Sequence, residues 1–150
     1  MPGPEVWGPP IWTLFHTLAE KIKEEEFNQL FPPLLHHIKR ISAYLPCPEC
    51  AAHATQYFSK IKLTQITNKK DFKNMLYIFH NMVNVRKKKA LFNYAETEKY
   101  KNNNIEQVYN RFINVYNTKG NMQMLNESFQ RQFVIKGFRQ WLINNIKHFQ

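Results

Sequence analysis

A chain of 150 residues that is 43% hydrophobic has apolar mass for one compact core, which excludes a disordered polymer. Its formal net charge of +10 attracts polyanions, yet no helix-turn-helix, zinc-finger or RNP-like motif is visible, which argues against nucleic acid as the main partner. Two cysteines are too few for a disulfide-stapled secreted module, Met1-Pro2-Gly3-Pro4-Glu5 lacks the basic start of a signal peptide, and no window reaches the roughly 18 apolar residues of a membrane span, so the expected location is cytoplasmic with no membrane contact.

Only 4 glycines punctuate the chain, so helices are favoured over many short strands. Residues 1–10 are Pro- and Gly-rich and lead into a first helix, with Pro9 and Pro10 suited to its opening turn. Ile11, Leu14, Phe15, Leu18 and Ile22 keep helical spacing. Pro32-Pro33 starts a second helix, with Leu34, Leu35, Ile38, Ile41 and Leu45 on one face, and Pro46 ends it. A third helix begins at the cysteines, with Cys47 as N-cap and Pro48 at the first helical position, and continues through Ala51, Ala52, Ala54, Tyr57 and Phe58. Residues 59–70 read as a loop. Asp71 can cap a fourth helix carrying Phe72, Met75, Leu76, Phe79, Met82 and Val83, ended by the basic run from Arg86 to Lys89. Residues 98–104 read as a linker, Ile105 to Tyr116 as a fifth helix and Asn117-Thr118-Lys119-Gly120 as a turn. Leu125, Phe129, Phe133, Phe138, Trp141, Leu142 and Ile146 mark a long last helix, weakened at Gly137. The expected fold class is all-α: a four-helix core followed by a helical extension.

Chemistry concentrates at Cys47-Pro48-Glu49-Cys50, the sole cysteine pair of the chain. A thiol at a helix N-terminus meets unpaired N–H groups and the positive end of the dipole, and both favour thiolate. Cys50 lies one turn in, within reach of a disulfide; the bland alternative is two inert buried thiols. His53, three residues further on the same face, suits a zinc ligand, a stacking partner for a ring or an ordinary surface histidine. Zinc needs four ligands, and Cys47, Cys50 and His53 supply three, with the fourth left to His16, His36, His37 or His80. On the fourth helix Tyr77, His80, Asn81, Asn84 and Lys88 form a polar stripe that runs into Arg86-Lys87-Lys88-Lys89. His and Asn can hydrogen-bond a ligand edge, and the cations can neutralise a diphosphate; a solvated face is the competing reading. Trp12 and His16, an i, i+4 pair, suit core packing or a site.

Three blocks stand in order: Trp7-Gly8-Pro9-Pro10-Ile11-Trp12-Thr13-Leu14-Phe15-His16-Thr17, Pro46-Cys47-Pro48-Glu49-Cys50-Ala51-Ala52-His53-Ala54 and Phe79-His80-Asn81-Met82-Val83-Asn84. With them the chain resembles the Erv/ALR flavin-dependent sulfhydryl oxidases, most like the versions encoded by large cytoplasmic DNA viruses. The resemblance implies a four-helix bundle over residues 1–100 that holds FAD noncovalently. Residues 101–150 would then be a helical extension, packed on the bundle or on a dimer partner. It makes Gly8, Trp12 and His16 a flavin-facing block, Cys50 the flavin-proximal sulfur and Cys47 the sulfur that substrate thiols attack. It sets His80, Asn81, Val83 and Asn84 around the adenosine end, with Lys89, Phe92 and Tyr100 downstream. Tyr44, His53 and Tyr77 complete the candidate cofactor set. Two departures stand out. The family's second disulfide, C-x16-C, is replaced by Tyr77 and Tyr94, and no shuttle cysteine pair is present.

The implied activity passes electrons from substrate thiols to the Cys47–Cys50 disulfide, then to FAD, then to O₂, which yields hydrogen peroxide. With no shuttle pair, the donor would be a separate dithiol protein, small and thioredoxin-like, and the family habit implies a homodimer. The rival reading is a non-enzymatic module that binds zinc or polyanions. A thioredoxin fold fits poorly, because no alternating strand pattern flanks the C-x-x-C.

Overall fold

The computed structural model describes residues 3–117 and 125–150. Its first helix, α1 (Pro4–Lys21), begins at Pro4, with Gly3 as N-cap. Pro9 and Pro10 therefore lie inside the helix rather than at its start. Each proline removes one i to i−4 hydrogen bond. Trp7, Pro10 and Ile11 are buried on one face of this stretch, and that burial offsets the loss. α2 (Phe27–Ala43) likewise starts ahead of Pro32-Pro33, which it contains. The cause is again apolar: Phe27, Leu30 and Phe31 extend the buried face of Leu34, Leu35, Ile38 and Ile41. Phe27 and Phe31 stack at 4.9 Å, and Phe31 meets Phe72 of the fourth helix at 4.9 Å. Leu45 lies beyond the end of α2, half-buried in the turn towards the cysteines.

α3 (Pro48–Ser59) starts as expected, with Cys47 as N-cap and its Sγ accepting the Cys50 N–H at 3.2 Å. α4 (Lys69–Arg86) is capped by Asn68, not Asp71. Asn68 Oδ1 accepts from the Asp71 N–H at 2.8 Å, while the Asp71 carboxylate turns back to the Thr67 N–H at 3.0 Å. The pair satisfies two donors reciprocally, in the manner of a capping box. Most of the linker expected over residues 98–104 belongs to a 3-10 helix, Tyr94–Asn102, laid on α1. Lys21 Nζ donates to the Lys101 carbonyl at 3.0 Å, Asn103 Nδ2 donates to Thr17 Oγ1 at 3.1 Å, and Thr97 is buried. α5 (Ile105–Tyr116) is capped by Asn104. Thr118 to Gly120 of the expected turn lie outside the described residues, as does the side chain of Leu125.

α1 packs against α4, α5 and the 3-10 helix, and α2 against α3 and α6 (Leu125–Asn145). One apolar core joins the six α-helices. Phe112, Tyr116, Val134 and Phe138 from beyond residue 104 share it with Leu14, Phe15, Leu34 and Leu76. Beyond α6, Phe149 pairs with Ile22 in a single antiparallel bridge. The inward face of α6 is Ser128, Arg131, Val134, Phe138 and Leu142. Phe129 and Phe133, expected on the apolar face, are 53% and 64% exposed. Each sits one position round from the buried row, about 100° at 3.6 residues per turn. Among the described residues no helix is long and apolar enough to cross a membrane.

Gly137 does not interrupt α6. A Cβ there would meet nothing nearer than Arg40 Nη1 at 3.8 Å, an ordinary contact. Gly137→Ala is therefore expected to stabilise the fold by about 0.5–1 kcal/mol, because a helix-interior glycine loses backbone entropy that alanine does not. The urea-unfolding midpoint measures it, and a lower midpoint would refute the open space beside α6.

Candidate active site

The Cys47–Cys50 disulfide closes over the first turn of α3, with Cα atoms 5.2 Å apart. Beside it lies a cavity of about 290 Å³ walled by α1, α3, α4 and the turn after α2. Cys50 is on its wall and Cys47 is not. Trp7, Ile11, Trp12, Phe15, Leu45, Phe79 and Val83 make much of that wall apolar. Arg86, Lys87 and Lys89 add cationic groups, with Lys87 Nζ 5.8 Å from the centroid of the Trp7 ring. Burial, then Lys89 and Arg86 nearby, hold the Lys87 ammonium below its usual pKa, so an anion placed among them would be favoured.

The far wall is a stack of rings. Trp12 lies over His80 at 4.1 Å with 7° between planes. His16 Nε2 and His80 Nδ1 are 2.9 Å apart, one donating to the other. Phe92 stacks on His80 at 4.7 Å, and Tyr100 stacks on His16 at 4.9 Å. Burial, with His80 beside it, pushes the His16 pKa down to about 3. Burial, with Lys89 nearby, pushes His80 to about 4. Both imidazoles are therefore neutral at pH 7 and suited to hydrogen-bond a neutral heterocycle edge.

This pair carries a pH signature. The unfolded imidazoles take up protons near pH 6.5, the folded ones only near 4 and 3. Stability is thus full above about pH 6.5, falls as the pH drops towards the folded values, and levels off below them. The urea midpoint is expected to be lower at pH 4.5 than at pH 7.5. His80→Gln should shrink that difference, since glutamine does not titrate. An equal pH dependence in the variant would show that other groups carry it.

The structure brings together Gly8, Trp12, His80, Val83, Asn84, Lys89, Tyr100 and Cys50 on the cavity wall, with His16 directly behind His80. Other candidates sit elsewhere. Asn81 holds the backbone of Phe92, its Nδ2 donating to the carbonyl at 3.0 Å and its Oδ1 accepting from the N–H at 2.7 Å. It thereby ties the segment after α4 back onto the helix. Tyr77 packs edge-on to Tyr94 at 5.3 Å, so the two positions that hold cysteines in the family pattern touch here as rings. His53 Nε2 is 3.7 Å from Glu49 on the surface of α3. Tyr44 lines a separate groove with His36, Lys39 and Arg40.

Lys88, placed on the polar stripe by extrapolating the helix, leaves it because α4 ends at Arg86. Lys88 takes φ 57°, its N–H bonds the Val85 carbonyl at 3.1 Å and the Lys89 N–H bonds the Asn84 carbonyl at 2.8 Å. That reversal is the Schellman motif, and it sends Lys88 to solvent and Lys89 to the cavity. Arg86 and Lys87 of the basic run also line the cavity, as does Trp7, to which the sequence assigns no role. Trp7 falls in the proline-rich stretch read as non-helical, so the face it presents was illegible; Arg86 and Lys87 were legible as part of the basic run. Among the described residues no group of three or more His, Cys, Asp and Glu side chains is gathered as a metal would need.

A helical bundle that seats a C-x-x-C disulfide on the wall of an aromatic, cationic cavity defines a dithiol–disulfide protein built around a ligand site. The model of the Erv1 / Alr family matches residues 9–104, and the chain belongs to that family. Among the curated relatives is the FAD-linked sulfhydryl oxidase of African swine fever virus (isolate Pig/Kenya/KEN-50/1950). It is 32% identical over 96 residues, 64% of this chain and 77% of the relative. The protein 347L of Invertebrate iridescent virus 6, whose name also contains FAD-linked sulfhydryl oxidase, is 29% identical over 94 residues, 59% of this chain and 85% of the relative. No solved structure is a significant match to the chain.

Proposed function

We propose that this protein is an FAD-dependent thiol oxidase that forms disulfides in protein substrates. The family and the names of the relatives support the class. One observation carries the direction of electron flow: Cys50 lines the cavity, while Cys47, half-buried like it, lies off the cavity wall.

The site fits the cofactor. The buried Trp7 Nε1 has no hydrogen-bond partner, leaving a donor to be satisfied. A Cβ on Gly8 would meet no protein atom within 4 Å, so space lies open at that wall. Trp7, Gly8 and Phe79 would flank the flavin ring beside Cys50, and Arg86, Lys87 and Lys89 would hold the phosphates. Trp12 and His16, which the resemblance set at the flavin, stack on and bond to His80, so we place Trp12 with His80, Asn84 and Tyr100 at the adenosine end and His16 and Asn81 behind them. When bound, FAD supplies the two-electron acceptor for the dithiol and hands the pair to O₂ as hydrogen peroxide.

The chain's own residues do the thiol chemistry. A substrate thiolate attacks Cys47 Sγ, the S–S bond breaks, and Cys50 leaves as a thiolate. A second substrate thiolate attacks the substrate sulfur of that mixed disulfide. The substrate departs as a disulfide, and Cys47 leaves as a thiolate held by the N–H groups at the start of α3. Two substrate thiols are oxidised and one protein disulfide is reduced, with the cavity face of Cys50 as the exit for both electrons. This chain's two cysteines are both spent in that step, so its thiol donor is a separate protein, for which a small thioredoxin-like dithiol is the simplest choice. We place its work in the cytoplasm, or in a virion if the chain is viral like its relatives. We assign the catalytic unit to residues 1–100 and a supporting role to residues 101–150. A homodimer is the further expectation, and the exposed Phe129 and Phe133 support it as a contact face.

The test is spectroscopic. Purified protein should be yellow, with a flavin band at about 450 nm that bleaches under an anaerobic dithiol and returns with O₂. A colourless protein holding stoichiometric zinc would overturn the reading in favour of the metal-binding alternative.

A further inference from the structure

The end of α2 is held by residues from beyond the family-matched segment. A helix leaves its last carbonyls without intrahelical donors, and buried ones need partners from elsewhere. Here the Ile41 carbonyl, which already takes the Tyr44 N–H at 3.3 Å, accepts a second bond from the Tyr116 hydroxyl of α5 at 2.9 Å. Arg131 Nη1 of α6 donates to the Tyr44 carbonyl at 3.2 Å. Tyr116 and Arg131 are both fully buried. A guanidinium there also opposes the negative end of the α2 dipole. A buried arginine needs a partner for its charge, and Glu127, one turn earlier on α6, favours the charged guanidinium here.

The clamped carbonyl stands just ahead of the redox pair in the chain. Tyr44 is the C-cap of α2, Leu45 lines the cavity, and Cys47 is the N-cap of α3, so only Leu45 and Pro46 stand between Tyr44 and the disulfide. The Cys47-to-Cys50 contact is set within α3 itself, through the Ala51 N–H to Cys47 carbonyl bond at 2.9 Å and the Cys50 N–H to Sγ bond. The two bonds instead hold the end of α2, whose Ser42 lines the same cavity wall as Leu45 and Cys50.

We propose that Arg131 and Tyr116 are positioning residues for the Cys47–Cys50 centre, so that the C-terminal extension fixes how the disulfide meets the cavity. The role rests on the reading of that pair as the redox centre. Their removal acts on electron hand-off from Cys50 rather than on attack at Cys47.

The experiment uses the full chain with Tyr116→Phe, Arg131→Met and Arg131→Lys. Tyr116→Phe removes one oxygen and keeps the ring, so it preserves the core. Hydrogen exchange of the peptide over residues 44–54 is compared with that of α4, alongside kcat and KM for dithiothreitol at matched flavin content. In Tyr116→Phe and Arg131→Met, exchange over 44–54 should quicken about tenfold while α4 is unchanged, because only that segment opens locally. kcat should fall about tenfold with KM unchanged, and Arg131→Lys should recover much of both. Exchange that quickens evenly along the chain, or not at all, would overturn the proposal and leave Arg131 as ordinary core. A wild-type chain that oxidises no dithiol would sink the thiol-oxidase reading instead, while the exchange comparison would still decide the clamp.

Discussion

Replacing Cys50 by serine is expected to abolish dithiol oxidation, by at least about 10³-fold in kcat, while flavin stays bound. The residue lies on the cavity wall, but rings and cations supply most of the lining, so losing one sulfur atom leaves binding groups in place. Chemistry has no such reserve. Cys47 and Cys50 are the only thiols in the chain, and a hydroxyl neither accepts electrons as a disulfide nor leaves as a stable anion at pH 7. Cys47→Ser should also stop turnover, yet it retains a thiol facing the cavity. The two variants would thus separate loss of the entry sulfur from loss of the exit sulfur. The measurements are dithiothreitol-dependent peroxide formation and the ratio of flavin to protein absorbance. Turnover of Cys50→Ser within tenfold of wild type would remove Cys50 from the electron path.

Phe112→Ala should destabilise the fold by about 3–5 kcal/mol, the usual result of truncating a fully buried phenylalanine. Phe112 has no exposed surface, stacks on Tyr116 at 4.9 Å and meets Phe138 edge-on at 6.4 Å. Those partners belong to the extension, but all three rings join the core that holds Leu14 and Phe15 of α1. A domain of this size has about 5–15 kcal/mol in total, so the variant gives up a large share. In urea the midpoint should drop by about 2 M, taking a slope near the middle of the usual range. A loss under about 1 kcal/mol would mean that α5 is peripheral to the stability of the bundle.

The site was more legible than the boundaries of the elements that build it. Cys47 as N-cap and Pro48 at the first helical position were readable because capping is local chemistry between neighbours. Trp12, His80, Asn84 and Lys89 were readable through residue type and order, and the fold places all four around one cavity. The starts of α1 and α2 were misread for a single reason. Pro9-Pro10 and Pro32-Pro33 carry a local backbone cost that reads as a break, while the gain comes from Trp7, Phe27 and Phe31 packing against partners far along the chain. Lys88 falls off the stripe because helical spacing does not continue through a Schellman reversal, which Lys88 itself forms without the usual glycine.

By itself the sequence determined the helical class, the solitary dithiol at a helix start and the family. These depend on periodicity, spacing and residue identity, all of which are local or additive along the chain. Only the tertiary structure decided that Asn81 turns away from the cavity to hold the Phe92 backbone. Only it showed that His16 and His80 pair as neutral rings. It alone brought Tyr116 and Arg131 to the end of α2, 75 and 87 residues from the carbonyls they hold. Each of those outcomes is a matter of which buried polar group finds which partner. That is settled by the packing of whole helices against one another, and no spacing rule along the chain encodes it.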